Sequence, residues 1–103
     1  MPLRIEVGQT QTVSALLTTP PQPSAGYVFA HGAGAGMTHR FMEDVAQGLA
    51  ARGIATLRYQ FAYMENGSKR PDPPRVAHAA VRAAVTEAQR RWPGLPLFAG
   101  GKS

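Results

Sequence analysis

The sequence contains no cysteine, so disulfides and thiolate metal sites are excluded. That is the pattern expected of a reducing cytoplasm. It has no apolar run near the ~18 residues that a membrane helix requires, so no membrane span is expected. Pro2 and Arg4 interrupt the start, and no secretory leader is expected there. Acidic residues are few, six against eleven Lys and Arg, which leaves a net charge of +5. The cations are spread along the chain. Only Lys69-Arg70 and Arg90-Arg91 are adjacent, and no aromatics interleave with them as a nucleic-acid stacking platform requires. A solvated basic face, with no nucleic-acid partner, is the expectation. The three histidines lack metal-ligand spacing, so neither metal nor cofactor is expected.

What is present is one globular composition of 103 residues, enough for a single domain with one core. Its most informative stretch is Tyr27 to Gly36, YVFAHGAGAG. A short buried strand, 27 to 30, runs into a loop whose glycines, Gly32, Gly34 and Gly36, alternate with alanine. Side chains there are nearly absent, so the backbone is the working surface. A helix begins just beyond, near Thr38. Strand, bare loop and helix N-terminus make a corner suited to negative charge, because N–H groups and helix dipole point the same way. A tight β–α turn that merely tolerates glycine is the plainer explanation, but one or two glycines suffice for a turn.

Around this stretch the order is β-β-β-α-β-α-β. Residues 3–7 and 13–19 read as an antiparallel hairpin. Pro20, Pro21 and Pro23 form a stiff connector. A helix over 39–52 is capped by Thr38, with Met37 and Met42 as its staple, Phe41, Val45 and Leu49 as its stripe, and Arg52-Gly53 as its stop. Residues 54–59 are a strand and 60–71 a loop with a turn at Asn66-Gly67. Asp72 caps a second helix over 73–91, with Val81, Val85 and Ala88 on one face. Residues 95–99 form a last, fully apolar strand. Alternating strands and helices after residue 27 predict an α/β fold: a three-layer α/β/α sandwich, mostly parallel, with an N-terminal antiparallel hairpin.

In a parallel sheet the functional loops lie at the strands' C-terminal ends. Two ends are unusual: His31–Gly36 and Gly100–Ser103. A dinucleotide site fits poorly, since the third glycine of G-x-G-x-x-G is Met37 and the next strand ends Arg58-Tyr59-Gln60, with no acid for a ribose. A P-loop needs glycine where the chain has Pro96. A nucleophile elbow fits better. Gly101-Lys102-Ser103 is the first half of G-x-S-x-G directly after an apolar strand. The His31-Gly32-Ala33-Gly34 loop would then supply the oxyanion hole, which requires a backbone N–H unobstructed by side chains.

The stretch from YVFAHGAGAG through LRYQFAYM, followed by PLFAGGKS, resembles the N-terminal half of a small bacterial α/β-hydrolase of the dienelactone-hydrolase-like kind. The resemblance implies Ser103 as nucleophile, the backbone of Ala33 or Gly34 as an oxyanion donor, and sheet order 1-2-4-3-5. It also implies a small-molecule acyl substrate such as an ester. The fold's triad order is Ser, then acid, then His. His31, His39 and His78 all precede Ser103. His31 braces the loop in this reading, and His39 and His78 have capping or packing roles. The chain alone is therefore expected to be inactive, and strand 95–99 to offer an open edge for self-association. A non-catalytic scaffold on the same fold is the alternative.

Overall fold

The structure, a computed structural model, describes residues 1–8, 11–32, 36–68 and 70–101. Three strands come first: β1 (Pro2–Val7), β2 (Gln11–Thr18) and β3 (Ala25–Ala30). Helix α1 (Arg40–Ala51) leads to β4 (Ile54–Tyr59), a single turn α2 (Ala62–Glu65), the long α3 (Pro74–Arg91) and β5 (Leu97–Gly101). The five strands form one sheet in the order β1-β2-β4-β3-β5. The two pairings at the β1 side are antiparallel, and β3 pairs in parallel with both β4 and β5. The glycine-loop strand β3 is thus internal, and the sheet is mixed, with the expected N-terminal antiparallel hairpin beside parallel β4, β3 and β5.

Strand alternation sorts the core onto two faces. Ile5, Val13, Val28, Leu57 and Tyr59 lie on one face with Ala80, Ala84 and Ala88 of α3 and with Trp92. Burial pushes the Tyr59 phenol up to about 12, so it packs as a neutral ring. On the other face α1 lays Met42 and Ala46, both fully buried, over β4. The helices therefore cover opposite faces, as a three-layer sandwich requires.

Several local expectations differ from the structure. The residue capping α1 is His39, whose Nδ1 accepts from the Phe41 N–H, rather than Thr38. The Met37–Met42 staple loses its positions with that shift, although both side chains are buried. The stripe of Phe41, Val45 and Leu49 is displaced by one residue: Met42 and Ala46 point inward, and Phe41 is exposed. On α3 Ala88 is buried as expected and is joined by Ala80 and Ala84, while Val81 and Val85 are half-buried and pack at the core's margin. Asp72 does not cap α3. Its carboxylate accepts from the Tyr63 N–H and ties α2 down instead. The 60–71 loop contains α2, which sequence reading did not resolve from turn signals alone. The stop of α1 is as expected, with Gly53 at φ 80 in the left-handed region that favours glycine.

Gly26 lies within β3 for a packing reason. A Cβ there would stand 2.5 Å from Trp92 Cε3 and 2.7 Å from Leu97 Cδ2. The tryptophan that ends α3 lies directly on the strand backbone. Gly26→Val is expected to destabilise the fold by about 1–3 kcal/mol through overpacking, read as a lowered midpoint in thermal unfolding.

The last strand corrects the sequence in two ways. It spans 97–101 rather than 95–99, and it is exposed rather than covered, with Phe98 61% accessible. Among the described residues β5 pairs only with β3, so its outer edge is open. Open, apolar edges recruit other chains. We expect the 103-residue chain to associate in a concentration-dependent way. A cooperative monomer across a broad concentration range in size-exclusion and unfolding measurements would exclude this.

Candidate functional site

The site is assembled at the C-terminal ends of β3, β4 and β5. The parallel register sets Ala30 opposite Tyr59 on one side and opposite Gly101 on the other. The residue before His31 is therefore beside the residue two places before Ser103. The two unusual strand ends, some seventy residues apart in sequence, adjoin in space. Gly101 has a steric reason to be glycine: a Cβ would lie 2.9 Å from the Ala30 carbonyl oxygen and 3.0 Å from the Ala30 Cβ. Ala33, Gly34, Lys102 and Ser103 lie outside the described residues.

His31 and Gly32 are both buried. Both ring nitrogens of His31 are engaged. Nε2 accepts from the Phe61 N–H at 3.1 Å, which requires it to be unprotonated. Nδ1 therefore carries the proton and donates to the Gly32 carbonyl at 2.9 Å. The ring also packs edge-on against Phe61 and Tyr63, with centroids 5.0 and 5.9 Å away. His31 binds the start of the glycine loop to the segment after β4, and it has no lone pair left for a base. His39 caps α1, and His78 is exposed on α3. A cavity of about 190 Å³ opens beside His31, lined by Phe61, Tyr63, Pro71, Asp72 and Ala77.

The far end of the loop is held by residues that sequence reading missed. The side chain of Arg58, on β4, is 5% exposed. Its guanidinium donates to the Met37 carbonyl at 3.2 Å and pairs with Glu43 in the first turn of α1 at 2.7 Å. A hydrogen bond from Gln47 and the nearby Arg58 charge hold the Glu43 carboxyl below its ordinary range. Gly36 accepts from the His39 N–H, completing the turn into α1. The available signal was an arginine inside the otherwise uncharged strand IATLRY. A buried arginine requires a partner, but the sequence does not say which.

Behind the site, Glu65 of α2 accepts from the Ser14 N–H and hydroxyl, Arg4 and Gln60. Burial would raise its carboxyl. The Ser14 N–H and the other donors outweigh that and hold it below the ordinary range. The same Gln60 side chain approaches Gly36, where an added Cβ would meet Oε1 at 3.1 Å. Among the described residues no cluster of three or more His, Cys, Asp or Glu is placed to hold a metal, and no helix is long and apolar enough to cross a membrane.

The geometry has counterparts in solved structures. The chain superposes on an alpha-beta serine hydrolase homologue from Coxiella burnetii with a TM-score of 0.84 at 18% identity, covering 100% of this chain and 51% of that one. It superposes on dienelactone hydrolase from Anabaena variabilis with a TM-score of 0.83 at 21% identity, covering 100% and 51%. For Est1E from Butyrivibrio proteoclasticus, solved with ferulic acid bound, the TM-score is 0.80 at 18% identity, covering 98% and 42%. The chain thus spans about half the length of these proteins or less. No curated protein matches it at a comparable level of significance. The family model for the alpha/beta hydrolase domain matches residues 23–103, well over half of the sequence, and with the sheet order and the adjoining strand ends it establishes that the chain belongs to the alpha/beta hydrolase family.

Proposed function

We propose that this chain supplies the nucleophile and part of the oxyanion hole of a serine hydrolase acting on an ester or similar acyl substrate. The observation that carries the reading is the Ala30–Gly101 register, which brings the glycine loop beside the strand leading into Ser103. Ser103 Oγ would attack the acyl carbon, and a backbone N–H of Ala33 or Gly34 would receive the charge that develops on the carbonyl oxygen. The attacking hydroxyl must lose its proton to a base. His31 is committed at both nitrogens, so the reading takes base and acid from sequence beyond Ser103, in the order the fold uses.

A fluorophosphonate probe tests this reading. The complete hydrolase is expected to be labelled at Ser103, and the 103-residue chain is expected to stay unlabelled. Labelling of the short chain would mean that a base lies within it. A folded complete protein that resists the probe would favour a non-catalytic scaffold.

A further inference from the structure

An oxyanion hole works because its N–H groups are fixed before charge develops. A segment alternating glycine and alanine cannot fix itself, since glycine has the largest backbone freedom to lose. The rigidity must come from outside. At the entry of this segment His31 bridges the Gly32 carbonyl and the Phe61 N–H. At its exit the Met37 carbonyl is held by Arg58, which is also paired with Glu43. Arg58 stands on β4 directly opposite Phe29 of β3, so its anchor moves with the strand that feeds the loop.

We infer that Arg58 is a positioning residue for the proposed oxyanion loop, with Glu43 orienting its guanidinium. The inference rests on the hydrolase reading for its consequence in catalysis, and on geometry alone for the clamp. Arg58 acts through Met37 and touches no reacting atom. It is not needed as ballast in the core: arginine is a poor filler for a dry sheet face, and its buried Nε has no hydrogen-bond partner among the described residues. A side chain held there at that cost, with NH1 shared between a loop carbonyl and a helix carboxylate, orders the junction between them.

The test uses the complete hydrolase with Arg58→Met, Arg58→Lys and Glu43→Gln, read by steady-state kinetics and by amide hydrogen exchange. Arg58→Met keeps bulk and removes the donor nitrogen that serves both contacts. It is expected to lower kcat by about 10- to 100-fold with KM within about twofold, the signature of misplaced transition-state donors. Exchange at Gly36 and Met37 is expected to accelerate about tenfold relative to Val28 in β3, which reports global opening. Arg58→Lys, which keeps a charged donor for Glu43 without the planar shape that fixes where NH1 lies, should recover part of kcat. Should Arg58→Met fail to fold, Glu43→Gln decides, with a smaller change of the same kind. Unchanged exchange at 36–37 together with an unchanged kcat per folded molecule would overturn the inference. If the unmutated protein hydrolyses nothing, the hydrolase reading fails, and the exchange measurement alone decides whether Arg58 clamps the loop.

Discussion

Ser103→Ala in the complete hydrolase is expected to lower kcat by roughly 10⁶-fold, the loss seen when a triad nucleophile is removed, while KM stays within a few fold. That corresponds to about 8 kcal/mol of transition-state stabilisation at ~1.36 kcal/mol per factor of ten. The loss is large because the serine splits one difficult acyl transfer into two easier ones through a covalent intermediate. Some acceleration should survive. An intact oxyanion hole and substrate binding alone leave about 10³–10⁴ over water. Burst kinetics and fluorophosphonate labelling should vanish together in this variant, since both report the same covalent step. A variant that keeps wild-type turnover would remove Ser103 from the chemistry and leave Gly101-Lys102-Ser103 as an ordinary strand end. The adjoining of β3 and β5 would then position a loop without a nucleophile.

The glycine loop and the succession of strands and helices along the chain were legible in the sequence because both rest on short-range signals, whereas the sheet order came only with the family resemblance. Alternating glycines, the switch from period two to helical spacing, and stop signals such as Arg52-Gly53 are local, and each has a single physical reading. The features that escaped are those decided by partners distant in sequence. Arg58 reads from sequence as an oddity in a strand, and only the fold shows Met37 and Glu43 meeting it. The cap of α1 went to His39 although Thr38 is the better intrinsic capper. Its carbonyl partner and the turn from Gly36 set where the helix begins, and that turn belongs to the loop's packing. Asp72 had a helix start beside it and a more distant amide in Tyr63, and the amide won. The face of α1 was misjudged, while on α3 the expected face held at Ala88 and lay at the core's margin at Val81 and Val85. Larger apolar residues were weighted over Ala46, Ala80 and Ala84, yet these alanines, with Ala88 and Met42, are the most deeply buried helical positions, because small side chains let a helix lie close to a sheet. The exposure of β5 has a different origin. An apolar strand is legible, but what covers it is not a property of the strand.

Gly34→Val is expected to cost roughly 10²–10³ in kcat, the loss typical of removing one oxyanion-hole donor. The β-branched side chain acts in two ways. In the proposed mechanism it would restrict the backbone freedom that glycine permits and add two methyl groups close to the N–H taken to receive the oxyanion. Neither effect weakens ground-state binding much, so KM should move little and the loss should fall on kcat. Stability is a separable readout. Gly48→Ala in α1 serves as its counterpart, since an added Cβ there meets nothing within 4 Å. A helical glycine replaced by alanine should gain about 0.5–1 kcal/mol with no change in rate, because the residue lies on the helix and away from the loop. The two glycines thus make opposite predictions from the same chemistry. One is costly freedom within a regular helix, and the other is freedom that the proposed mechanism needs. Wild-type turnover in Gly34→Val would take the loop out of charge stabilisation. The His31 and Arg58 contacts at its two ends would then be explained as packing of a β–α turn.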